Sequence, residues 1–108
     1  MNISDEERFA LVFTIQDGIE SLEIMLNTAE VSERKRTGVG FFSTITFRQP
    51  LSVKNFDEKH WECTFEHNKI PYGGCFMIRL AAENILEIEA VAFESNWPEP
   101  FRKEDFIR

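Results

Sequence analysis

Three runs of alternating residues constrain this chain more than any other feature. Trp61, Cys63 and Phe65 stand at every second position, then Phe76, Ile78 and Leu80, then Leu86 and Ile88. Strand side chains alternate between faces, so each run reads as a strand with one apolar side. Joined as a hairpin across Tyr72-Gly73-Gly74, the first two runs set Phe65 opposite Phe76, Cys63 opposite Ile78, and Trp61 opposite Leu80. Continuing the meander sets Leu80 opposite Leu86, Ile78 opposite Ile88, and Phe76 opposite Ala90. A slip of one residue would turn a whole apolar set into water, so this register is strongly favoured. The other face then carries Glu62, Glu66, Met77, Arg79, Glu87 and Glu89, with Arg79 between Glu62 and Glu87. Exposed cross-strand pairs of this kind contribute about 0.2–1 kcal/mol each. Val91 and Phe93 fall on the polar face in this scheme, which calls for a bulge or a partly covered second face.

Two further strands are expected upstream, at about 31–36 and 40–48, beside those at 60–66, 75–80 and 85–93. Between the first two lies Thr37-Gly38-Val39-Gly40-Phe41-Phe42. A Gly-x-Gly that cradles phosphate needs a helix N-terminus directly after it. Here a β-branched and aromatic run follows, through Ile45 and Phe47, so the glycines are expected to turn a hairpin. At the N-terminus, Ser4 followed by Asp5-Glu6-Glu7 has the form of a capping box. The run Phe9–Phe13 fits helix or strand. Ile19, Leu22, Met25 and Leu26 recur at helical spacing and predict an amphipathic helix over 18–28, with Glu20 and Glu23 outward. The expected fold is α+β: one domain over residues 1–108, with N-terminal helices packed on a mainly antiparallel sheet of about five strands.

The chain is 43% hydrophobic with eleven Phe among its 108 residues, enough for a real though thin core. No apolar run approaches the ~20 residues of a membrane span, and the acidic start does not read as a secretory signal. Two cysteines make no disulfide framework and read as reduced thiols in a cytoplasmic protein. The net charge of −7 is the opposite of a nucleic-acid-binding footprint. From Met1 to Glu33 there are eight acids and one base, and from Ala81 to Phe101 five acids and no base. The main basic cluster is Arg34-Lys35-Arg36.

Few groupings suit chemistry. His60 and His67 bracket one strand on opposite faces, and neither cysteine belongs to a C-x-x-C pair, so no metal or cofactor is expected. Cys63, flanked by aromatics of equal parity, reads as buried and inert; Cys75, after two glycines, reads as the more accessible thiol, in acidic surroundings that oppose the thiolate. Glu87 and Glu89 make a same-face carboxylate pair, which glycosidase-type catalysis uses only with a cleft. The tail carries Glu94, Trp97, Glu99 and Phe101 among prolines. Its aromatics either pack over one end of the sheet or form a rigid recognition segment, Trp being a frequent hot-spot residue.

The stretches R-K-R-T-G-V-G-F-F-S-T-I, P-Y-G-G-C-F and L-E-I-E-A-V-A-F-E-S-N-W-P resemble a group of small bacterial immunity proteins, over roughly residues 34–98. Such proteins protect cells from the toxin domains of contact-dependent growth inhibition and related systems. The resemblance implies a cytoplasmic, non-enzymatic α+β antitoxin that blocks a co-encoded toxin, often a nuclease with a basic surface. It transfers no site residues. The expected interface, from charge and alternation, is Glu62, Glu66, Glu87 and Glu89, extended by Glu94, Trp97 and Glu99, with the helical acids Glu20 and Glu23 as a competing site. Two other readings remain open. One is a small enzyme using Glu87/Glu89 or Cys75, which would need those groups in a concave pocket with perturbed pKa values. The other is an acidic inhibitor of some other nucleic-acid enzyme, separated from an antitoxin only by its partner.

Overall fold

A computed structural model describes residues 1–108. The chain runs α1 (Asp5–Ile15), α2 (Leu22–Leu26), β1 (Glu30–Arg36), β2 (Gly40–Thr46), β3 (His60–His67), β4 (Ile70–Ala82), β5 (Ile85–Ala92), a 3-10 turn (Lys103–Asp105) and β6 (Phe106–Ile107). The strands form one antiparallel sheet in the order β1-β2-β5-β4-β3-β6. The fold is therefore α+β with N-terminal helices, and the sheet has six strands rather than five. The sixth, of two residues, carries no alternation for a sequence reading to detect.

The capping box forms: the Glu7 N–H donates to Ser4 Oγ at 3.1 Å, and the Ser4 N–H donates to Glu7 Oε1 at 2.9 Å. Phe9–Phe13 continue that helix, which lies across β3, β4 and β5. The second helix is only five residues long, much shorter than the 18–28 expected. Ile19 bridges Val53 and the Glu20 N–H donates to Ser52 O, which holds the chain extended; Ser21 then turns left-handed before the helix can start. The buried members of the apolar spacing, Ile19, Leu22 and Leu26, still point inward.

The inner sheet face meets the helices around Phe41, Ile45, Phe76, Ile78, Leu86 and Ile88, all at most 2% exposed. Rings from several elements converge on Phe76, including Phe65 at 4.9 Å between centroids and Phe106, stacked at 5.7 Å. The β4–β5 register is the one expected, with Phe76 opposite Ala90, Ile78 opposite Ile88 and Leu80 opposite Leu86. The β3–β4 register is two residues off: Cys63 faces Phe76, Trp61 faces Ile78, and Phe65 faces Gly74. A shift of two preserves parity, so the same side chains stay on the inner face.

The cause of the shift is local. The turn is at Asn68-Lys69, and Tyr72-Gly73-Gly74 lies inside a long β4, beside an irregularity opposite Phe65–His67. Gly73 has φ +65°, and a Cβ there would stand 2.0 Å from Phe65 O; a Cβ on Gly74 would meet the Phe65 ring at 2.7 Å. The two glycines let the Phe65 strand and ring close over β4, rather than reversing the chain.

The upstream Gly-x-Gly does make the β1–β2 hairpin. Gly38 takes φ +82° in open space, whereas a Cβ on Gly40 would lie 1.6 Å from Ala90 O, so Gly40 permits close approach of β5. Val91 needs no bulge on β5: it sits half-buried on the outer face beside Cys75, and Phe93 lies past the strand end, 40% exposed.

Candidate partner-binding face

The outer face of the sheet has no helix over it. Its side chains follow from the registers. One row across the strands reads Lys35, Phe42, Glu89, Met77, Glu62; the next reads Glu33, Thr44, Glu87, Arg79, His60. Glu62 and Glu89 are exposed, and neither has a basic group within ion-pair distance. Glu87 is ion-paired with Arg79 across β4 and β5. Phe42 and Met77 are half-buried between these acids. Together with His60, Arg79, Glu87 and Glu89 they line a shallow depression of about 200 Å³. The face therefore has an apolar middle within a surround where Glu33, Glu62, Glu87 and Glu89 outnumber Lys35 and Arg79.

The other expected site residues scatter. Glu66 is exposed but lies at the far end of β3, opposite Ile107. Glu94 is exposed in the turn beyond β5, with φ +53°. Glu99 is exposed and reaches Arg36 at 3.2 Å, on the helix side of the molecule. Trp97 is not an exposed anchor. It is 6% exposed, its ring meets Phe41 edge-on at 5.6 Å, and its Nε1–H donates to Glu6 Oε2 at 2.8 Å. The tail aromatics pack over the sheet end, because the chain after β5 folds back to the inner side. Trp97 N–H donates to Gly38 O there.

Cys75 is likewise not the accessible thiol expected. It is 5% exposed, and burial, with the nearby Glu62 charge, pushes its pKa up to about 11. Both effects disfavour the thiolate, and the buried sulfur is poorly placed to act as a nucleophile. Cys63 is buried as expected. His60 is exposed and His67 buried, on opposite faces, and no group of three His, Cys, Asp or Glu gathers as a metal site. The competing acids Glu20, just before α2, and Glu23, within it, are exposed and help line a depression of about 620 Å³ that also contains Lys54.

The most elaborate polar cluster was not anticipated. Glu7 is 2% exposed; its Oε1 accepts from Arg34 Nη2 at 2.6 Å, and its Oε2 accepts from Arg34 Nε at 2.9 Å and Ser43 Oγ at 2.5 Å. Beside it, Glu6 accepts from Arg36 at 2.7 Å and from Trp97. Burial works to raise the Glu7 pKa, but Arg34, Ser4 and Ser43 together outweigh it and hold the carboxyl below its usual value. A bulge between Val31 and Glu33 brings Val31, Arg34 and Arg36 onto the inner face together. The available signal was a basic triplet in an acidic chain, with Arg34 and Arg36 two apart and three acids, Asp5, Glu6 and Glu7, opening a helix. The cluster clamps α1 to β1, and each carboxylate is satisfied within it.

No protein-family model, no curated protein and no solved structure matches this chain. No helix is long and apolar enough to cross a membrane. What the fold and face define is an α+β domain with one sheet side left open.

Proposed function

We propose that this protein is an immunity protein: a cytoplasmic, non-enzymatic antitoxin that binds a co-encoded toxin domain and occludes its active site. The observation that carries this reading is the open sheet face, where Glu62 and Glu89 stand without cationic partners around Phe42 and Met77. Unneutralised carboxylates around an apolar centre favour a basic partner: the charges steer encounter and the centre supplies buried area. A nuclease domain, whose own substrate is a polyanion, presents such a surface. The resemblance of residues 34–98 to immunity proteins supports the same conclusion. The interface centres on Glu62, Glu87 and Glu89 with Phe42 and Met77, while Trp97 and Glu99 serve the other side of the molecule. A glutamate pair for catalysis fits less well, since Glu87 is tied to Arg79 in a shallow, open depression.

The test is to express the C-terminal domain of the exoprotein encoded beside this gene, with and without this chain. Growth arrest by the domain alone and rescue by co-expression are expected. A neighbouring domain that is harmless, or toxic and not rescued, contradicts the reading.

A further inference from the structure

We propose that the partner contributes a basic extended segment that pairs with the free edge of β3, continuing the sheet beyond His60–Thr64. This rests on the reading that the acidic face meets a basic partner, and adds the segment and the way it is held. The Lys59 C=O accepts from the Leu80 N–H at 2.9 Å. Alternation then turns the peptide groups of Trp61, Cys63 and Phe65 toward β4, and those of His60, Glu62 and Thr64 away from it. On that outer side β6 pairs only with Glu66 and His67. Above it no backbone hydrogen bond reaches the outward groups of the exposed His60, Glu62 and Thr64, and the one side-chain contact is the Cys63 thiol, which donates to Thr64 O at 3.3 Å. An edge strand with open donors and acceptors is a template for another strand.

Charge selects the occupant. His60, Glu62 and Thr64 are exposed and project onto the acidic outer face, and Glu62 continues the row through Met77 to Glu89. A segment with Lys or Arg at alternate positions satisfies the backbone and sets a cation beside Glu62, while Glu89, two strands further in, adds to the attracting field. A second copy pairing antiparallel about Glu62 would set two Glu62 side chains opposite each other, which is unfavourable. The other sheet edge differs. The Met1 amino group donates to Val31 O at 3.1 Å, and the Val31 N–H donates to Met1 O at 2.8 Å, closing part of β1. Along the rest of β1, Lys35 is the outward cation that disfavours a basic strand, while Arg34 and Arg36 are engaged by Glu7 and Glu6.

The test uses an acetylated, amidated octapeptide of alternating Lys and Thr, its Glu-Thr counterpart, and a Lys-Thr version N-methylated at every second residue. Each is titrated at low salt into the full-length protein, followed by amide NMR. With the Lys-Thr peptide, the amides of His60, Glu62 and Thr64 are expected to shift and to exchange more slowly. The N-methylated peptide should bind at least tenfold more weakly, and the acidic peptide should leave these amides unmoved. Thr64→Pro removes only an outward N–H, so the Trp61, Cys63 and Phe65 amides should stay protected while peptide affinity falls at least tenfold. If that variant does not fold, the N-methylated peptide decides the matter with the unaltered protein. Unmoved edge amides, or binding indifferent to N-methylation, overturns the proposal. Binding lost in Glu62→Lys/Glu89→Lys yet indifferent to N-methylation overturns strand pairing while leaving the acidic face as a docking surface. Sedimentation as a dimer, with these amides protected before peptide is added, gives the edge to a second copy and also overturns it.

Discussion

Glu7 shows how a carboxylate is kept inside an acidic protein. It closes the capping box of α1 and receives both ends of the Arg34 fork and the Ser43 hydroxyl. Removing one partner of such a pair strands the other charge, which costs about 3–5 kcal/mol. Arg34→Ala is therefore expected to lose stability on that order in urea melts, while Lys35→Ala, one residue along on the outer face, should change little. The same carboxyl makes stability pH-dependent. Its folded pKa lies below the usual 4.5, so its contribution is complete above that value and is lost as pH falls through the folded pKa. His67 adds to this. Burial first, then the Lys69 charge, lower its pKa against the opposing Asp105 charge, and its Nδ1 accepts from the Lys69 N–H at 3.0 Å. The unfolded chain takes up that proton below about 6.5, whereas the folded chain resists it, so stability declines as pH falls from there. Stability curves between pH 7 and 3 should thus fall in two stages. His67→Gln should remove the upper stage and leave the lower one, and an unchanged upper stage would assign it to another group.

The strands make the glycine roles separable. Gly40 lies against Ala90 O and has no room for a methyl group, so Gly40→Ala must push β2 from β5, at or above the about 1–3 kcal/mol typical of overpacking. Gly38 has room but a left-handed backbone, so Gly38→Ala should cost only about 1–2 kcal/mol. Equal losses in thermal melts would mean that the hairpin register differs. Phe76, fully buried among rings from α1, β3 and β6, should cost about 3–5 kcal/mol on truncation to Ala. That buried face was legible in the sequence because period-two alternation survives a register error of two residues. Trp61, Cys63, Phe65, Phe76, Ile78, Leu86 and Ile88 all lie inside although the β3–β4 pairing was displaced. What alternation does not encode is where a glycine pair acts. Gly73-Gly74 reads equally well as a turn or as the seat of an aromatic ring, and only the fit of Phe65 over Gly74 decides between them. The acidic outer face was legible for the same reason, at Glu62, Glu87 and Glu89. Trp97 and Cys75 were misplaced because their burial depends on where the tail and the long β4 travel, which local pattern does not carry.

The molecule as a whole divides its charges between two sides. On the inner side, Arg34 and Arg36 meet the glutamates of α1 and are consumed in holding the helix. On the outer side, Glu62 and Glu89 have no such partners, and the chain's net charge of −7 leaves them unneutralised. An interface built there gains from long-range attraction, which weakens as the screening length shrinks to about 8 Å at physiological ionic strength. The association rate with a basic toxin domain should therefore fall steeply with added salt, and the dissociation rate much less. Glu62 and Glu89 are the residues to reverse, since altering Glu87 would also orphan Arg79. The most direct measurement is the affinity of the toxin domain proposed as partner for the parent protein and for Glu62→Lys/Glu89→Lys, with unfolding curves recorded for both. The variant should be as stable as the parent to within about 1 kcal/mol, since both sites are exposed. Its binding should be weakened at least tenfold, about 1.4 kcal/mol. A folded double variant that binds as tightly as the parent, with the same salt dependence, would contradict the assignment of the outer sheet face as the binding surface.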